Sequence, residues 1–251
     1  MKSFVCKSAT ISLIGGTVLA SLLGQGLSAL ALPEAEIVKI LQQVPVFTVA
    51  DAQGSPLIAV TKNEQGKEVR LTGIFISEQD AQQFFQKLQK DKPDVANKVK
   101  VRPVSLGEVY KLAAANANKP DALTFAYVPM AGEVESAKKI LVESGKQYQG
   151  GVPLFVARGG KDQGYLTIQQ NNEQIIPFFF EQQQLQMMID RFKKEKPDIA
   201  STVKIEVVPL EGIMETMQKS NDEMLSKIRL VPSEQTIKFI QSLQQQQQPK
   251  K

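Results

Sequence analysis

No histidine occurs in the 251 residues, and the one cysteine, Cys6, lies near the start. Without imidazole there is no Ser-His-Asp triad and no histidine metal ligand. A thiol nucleophile or thiolate zinc site would rest on Cys6 alone. No glycine-rich loop runs into Lys-Ser or Lys-Thr to cradle a phosphate, and Gly150-Gly151 and Gly159-Gly160 read as turn glycines. Carboxylate chemistry is what remains. The matched pair Asp94 and Asp198 each follow a proline that ends a helix, and capping of the next turn accounts for them. Lys92 and Lys196 read as solvated cations at helix ends. A carboxylate-only hydrolase would need two acidic groups facing each other across one cleft. The chain is therefore expected to be no enzyme and to carry no cofactor or metal.

Apolar residues say more than polar ones. Ile74-Phe75-Ile76 and Phe178-Phe179-Phe180 close two strands, and side chains alternate along a strand, so Phe75 and Phe179 face away from their neighbours. A strand apolar on both faces is either covered by helices on both sides or exposes a hydrophobic groove. The groove alternative expects Phe75→Ser and Phe179→Ser to weaken binding of a partner while sparing thermal unfolding. Five of the seven methionines, at 187, 188, 214, 217 and 224, fall in helical stretches of the second half. Met188, Met214 and Met217 take stripe positions that suit core filling, whereas Met187 stands off the stripe, opposite Gln83 of the first half. A flexible thioether there suits varied apolar partners. Phe75, Phe179 and Met187 are the candidate polypeptide-binding residues.

The elements that position these residues occur twice. Residues 44 to 129 are echoed at 152 to 232, most clearly where Lys90 to Ala96 meets Lys194 to Ala200. Phe84, Phe85 and Leu88 fall opposite Met188, Ile189 and Phe192. In the first unit a helix from Glu34 to Gln43 leads to strands at 44 to 50, 56 to 61 and 69 to 76, which look like a meander. A helix over 78 to 90 follows, with Ser77 at its N-cap and Pro93 at its end. Then come a strand at 99 to 104, a helix over 106 to 118 and a strand at 123 to 128. The second unit repeats this with strands at 152 to 157, 164 to 169 and 174 to 180, a helix over 182 to 195, a strand at 203 to 208, a helix over 210 to 220 and a strand at 226 to 231. Val128-Pro129 and Val231-Pro232 each precede a helix, as Leu32-Pro33 does, giving helices over 131 to 146 and 233 to 244. A helical connector of that kind favours one rigid body. The expected fold is α+β, an internal duplication of an α-β-β-β-α-β-α-β unit. Its two halves are pseudo-symmetric: a first repeat at 32 to 130, a connecting helix within 131 to 150 and a second repeat at 151 to 243. The polar tail from 244 to 251 reads as disordered.

Residues 1 to 31 read as a secretory signal peptide. Lys2 and Lys7 precede an apolar run from Ala9 to Leu23, and Ala29-Leu30-Ala31 fits a cleavage site. Removing them lowers the formal charge from +4 to +2, too near neutral for a broad nucleic-acid or anionic-lipid surface. No later run is long enough to span a bilayer.

The Val-Pro-Val-Phe and Val-Pro-Leu-Phe that open the two units, and the Lys-Pro-Asp that closes the first long helix of each, resemble the Tic22-like proteins of cyanobacteria and plastids. The resemblance covers essentially the whole mature chain. It implies a pseudo-symmetric α+β body with apolar concave pockets and no catalytic residues. It also implies a periplasmic, or thylakoid-lumenal, chaperone-like protein-transport factor that supports outer-membrane biogenesis. Its partners would be unfolded or exported polypeptides and an Omp85-type barrel. A periplasmic carrier of a small apolar ligand is the alternative.

Overall fold

The computed structural model describes residues 11–13, 31–117, 119 and 121–246. Most of the expected signal peptide and the end of the tail lie outside the described residues. In chain order the elements are β1 (Ile11–Leu13), α1 (Glu34–Leu41), β2 (Pro45–Ala50), β3 (Ala59–Lys62), β4 (Glu68–Phe75), α2 (Glu78–Asp91), α3 (Pro93–Ala96), β5 (Lys100–Ser105), α4 (Leu106–Asn116) and β6 (Leu123–Val128). They continue with α5 (Ala131–Glu143), β7 (Pro153–Gly159), β8 (Gly164–Gln170), β9 (Glu173–Phe179), α6 (Gln182–Glu195), α7 (Pro197–Ala200), β10 (Lys204–Pro209), α8 (Leu210–Lys219), α9 (Glu223–Ser226), β11 (Ile228–Val231) and α10 (Glu234–Gln246).

Local chemistry sets the ends of these elements. The Ser77 hydroxyl accepts from the Asp80 amide at the start of α2. A full reciprocal capping box, Ser105 with Glu108, starts α4 at the expected Leu106. Asp94 and Asp198 prove not to be caps. Pro93 and Pro197 open new helical turns, α3 and α7, and each aspartate sits in the first turn of its short helix. Helix α10 runs to Gln246, beyond the expected end at 244.

The first sheet has the order β3-β4-β2-β5, with β6 parallel to β4. It is not a meander. Residues 51 to 58 carry the chain past the edge, and β4, apolar on both faces near its end, takes the place beside β2 with Phe47 opposite Phe75. The second sheet repeats these pairings and senses and adds two, β8 with β7 at Arg158–Tyr165 and Gly159–Gly164 and β8 with β1. There β7 pairs with β9 at Phe155 opposite Phe179, β10 lies antiparallel to β7, and β11 lies parallel to β9. Matching backbone bonds recur: the Leu106 amide donates to the Val44 carbonyl and the Leu210 amide to the Val152 carbonyl, both at 2.8 Å.

The largest hydrophobic cluster belongs to both halves. It joins Ile37, Ile40 and Leu41 of α1 with Val46, Ile74 and Leu106 of the first half and Leu154, Phe178 and Met217 of the second. A Cβ on Gly107 would meet the Gln42 amide nitrogen at 2.9 Å, so only glycine lets α4 approach the end of α1 this closely. The outer faces of the sheets have separate covers. Phe155, Leu166 and Phe179 lie with Leu185, Ile189 and Phe192 of α6 and Ala137 of α5. Phe47 and Phe75 lie with Ala81 of α2, and Phe239 of α10 meets Phe47 edge-on, centroids 5.4 Å apart.

Helix ends interlock as well. The Gln182 amide at the start of α6 donates to the Glu133 carboxylate of α5 at 3.0 Å, and the Glu234 amide at the start of α10 donates to Glu181 at 3.0 Å. Burial pushes the Glu133 carboxyl above its ordinary range, the bond from Gln182 opposes this, and nearby Glu181 adds to the rise. A raised carboxyl contributes stability that is complete below the unfolded value and is lost as pH rises through the folded one. Glu133→Ala, which leaves the Gln182 amide without its acceptor, is expected to cost about 1 kcal/mol in urea unfolding at neutral pH. Glu133→Gln keeps an acceptor and is expected to be near neutral, with the rise in stability from neutral toward mildly acidic pH shallower than in the parent.

Candidate functional site

Phe75 is 5% exposed and Phe179 8% exposed. Neither stands on an open groove, because α2 and α6 cover the strand ends and each ring joins an outer-face cluster. The helix-covered alternative for these strands is the one the structure adopts. Phe179 does border a recess of about 610 Å³ between β8, β9, β11 and α1, which Pro177, Ile175 and Ile40 also line. Met187 is 47% exposed on α6, consistent with its position off the apolar stripe. The three candidates do not converge on one site.

Helix α2 is less well covered than α6. Only Ala81 of its stripe is fully enclosed, and Phe84 remains 42% exposed while its ring touches Phe75, centroids 5.3 Å apart. On α6 the corresponding stripe buries Leu185, Ile189 and Phe192. Residues at the same repeat position thus meet different cover.

A more defined cavity lies on the inner face of the first sheet, and no residue of it was among the sequence candidates. Thr48 of β2, Thr72 and Ile74 of β4, Val104 of β5, Phe125 of β6 and Leu112 of α4 line a volume of about 430 Å³. Leu112, 53% exposed, stands at its rim. The Thr48 hydroxyl donates to the Gly73 carbonyl at 3.0 Å. Thr72 is only 2% exposed, and among the described residues its hydroxyl finds no hydrogen-bond partner. Leaving a buried hydroxyl unpaired costs roughly 1–3 kcal/mol. The register of the second sheet places Val156 where the first has Thr48, Ile176 where it has Thr72, and Phe178 where it has Ile74. Larger apolar side chains, all fully buried, thus stand in one half where two threonines and an isoleucine stand in the other. The difference between the repeats was the available sequence signal: threonine in one copy against valine and isoleucine in the other.

Among the described residues no three His, Cys, Asp or Glu side chains gather as metal ligands, and no helix is long and apolar enough to cross a membrane. A model of the Tic22-like family matches residues 9–242. The chain belongs to the Tic22-like family. The solved structure of Anabaena Tic22, a protein of protein transport, is 30% identical and superposes with a TM-score of 0.74 over 88% of this chain and 99% of that one. Tic22 from Plasmodium falciparum shares the fold at 22% identity and a TM-score of 0.64, over 84% of this chain and 99% of that one. Among plant relatives, the chloroplast protein TIC 22 of Pisum sativum is 20% identical over 184 residues, 73% of this chain and 67% of its own length. The Arabidopsis thaliana protein is 21% identical over 73% of this chain and 62% of its own length. This Tic22-like chain thus spans about two thirds of the length of its plant relatives.

Two outcomes test the geometry. Thr72→Val, which removes the unpaired hydroxyl and keeps the shape, is expected to raise unfolding stability by about 1 kcal/mol with an unchanged denaturant slope. Phe75→Ser is expected to destabilise the fold by about 3–5 kcal/mol, the range for emptying a buried aromatic site, and so to lower the melting temperature before any binding effect can be read.

Proposed function

We propose that this Tic22-like protein is a non-enzymatic transport factor that holds unfolded or exported polypeptides at apolar recesses on its surface. The observation that carries this reading is the cavity under α4, lined by Ile74, Val104, Phe125 and Leu112, where the other half carries the larger buried side chains Ile176 and Phe178 in place of Thr72 and Ile74. An unpaired buried hydroxyl and an exposed leucine at the rim lower stability without helping the fold. That is the usual cost of a surface kept for a partner. Met187 and Phe84 add exposed apolar contact on the helices α6 and α2. The matching pairings of the two sheets support descent from one duplicated unit. The apolar leader at residues 1 to 31 supports export to the periplasm, where the family resemblance suggests work beside an Omp85-type barrel in outer-membrane biogenesis.

A second reading, a carrier of a small apolar ligand, draws on the Thr72 hydroxyl, a buried hydrogen-bonding point in a largely apolar cavity that Glu108 and Lys111 also border. Native mass spectrometry of the purified protein separates the two: a retained small molecule favours the carrier.

The transport reading is tested with an unfolded outer-membrane barrel protein diluted from urea. The chain is expected to slow its aggregation. Leu112→Asp at the rim and Thr72→Ile, which copies the second half, are each expected to weaken this protection at least fivefold while the melting temperature holds or rises. Full protection by both variants would remove the cavity from the function.

A further inference from the structure

Strand β1 is seated on the outer edge of β8. The two run antiparallel with Ile11 opposite Ile168, Ser12 opposite Thr167 and Leu13 opposite Leu166. On its other side β8 forms a hairpin with β9 through a two-residue loop, Asn171 and Asn172, with φ of 48° and 65°. That is the type I′ geometry whose twist suits a hairpin. Gln170 and Glu173, flanking the loop, are then a hydrogen-bonded pair, and so are Ile168 and Ile175 two residues on. Thr167, one residue before Ile168 and opposite to it in phase, turns its amide and carbonyl away from β9 and toward Ser12.

The two edges at this repeat position differ. In the first half β3 ends its sheet. It carries Lys62, with Glu64, Lys67 and Glu68 in and beyond its turn. Charges of that kind keep a bare edge from recruiting another strand. From Gly164 to Gln170, β8 has no charged residue. Its Leu166 belongs to the outer-face core and Ile168 packs against it, so alternate residues of an incoming strand would lie beside an apolar face.

We propose that the outer edge of β8 accepts one extended, uncharged stretch of another polypeptide as an added antiparallel strand, and that Ile11–Leu13 holds this place in the full-length chain. The proposal rests on the transport reading and names a second contact for the same clients. Main-chain hydrogen bonds give such a site affinity with little demand on sequence, and alternating apolar residues give it register. Ile-Ser-Leu at 11 to 13 has that pattern. A chain beginning at Leu32 lacks β1 and with it the Ser12–Thr167 pairing. The members of the three hydrophobic clusters at Leu32 and beyond, from α1 through Leu230, are all present in that chain.

The test uses the chain from residue 32 to 251, the full-length chain, and a fluorescent peptide of residues 8 to 16, Ser-Ala-Thr-Ile-Ser-Leu-Ile-Gly-Gly. The shorter chain is expected to bind the peptide saturably, with slowed hydrogen exchange at the Thr167 amide. N-methylation of the peptide at Ser12 is expected to weaken binding at least tenfold, and at Leu13 less than twofold. The full-length chain is expected to bind at least tenfold more weakly than the shorter one. Absence of binding, equal loss on both methylations, or binding without a change at Thr167 would overturn the edge site. Equal affinity of the two chains would overturn its self-occupancy. None of these results alters protection of the unfolded barrel through the cavity, so the transport reading stands or falls separately.

Discussion

Strands that are apolar on both faces must be covered on both faces, and the architecture follows from that requirement. Inner faces of the two sheets meet around α1, so Ile74 and Phe178 share one core with Leu41. Outer faces need helices of their own. The first sheet takes Phe239 of α10, which follows the second sheet in sequence, and the second takes α5, which follows the first. Each half therefore lends the other part of its cover. Exchange of this kind makes the halves one body, since parting them would expose both the inner core and an outer face.

Within that frame the two halves differ where their cover is incomplete. The second half fills its inner face with Val156, Ile176 and Phe178, and its α6 buries three large side chains. The first half keeps Thr48 and Thr72 over a cavity and leaves Phe84 partly exposed. At the sheet edges the asymmetry runs the other way: β3 is exposed along its length and flanked by charge, whereas β8 is uncharged and paired with β1. A body of two halves can hold one for stability and release the other for contact, because the shared core supplies what the looser half lacks. On the proposed reading the looser inner face and the uncharged edge both serve polypeptide clients.

Much of the local structure was legible from residues alone. Stripe periodicity, Pro93 and Pro197 as stops, Ser77 as a cap and the repeat itself give element positions close to those found. Helix–coil choices depend on neighbours within about four residues, so a linear reading reaches them. The short helices after the prolines were missed, since one turn carries too few residues to show a period.

The sequence alone determined the chemical inventory, the order of helices and strands, and the pattern that makes both faces of β4 and β9 apolar. Only the tertiary structure decided which of those faces stays open. Phe75 and Phe84 are the same side chain, yet one is enclosed and the other half in solvent, because cover comes from segments such as α10 that lie over a hundred residues away. The unpaired Thr72 hydroxyl and the partner on β8 are likewise long-range facts: hydrogen bonds and burial are settled by which segments meet, and no local pattern encodes that meeting.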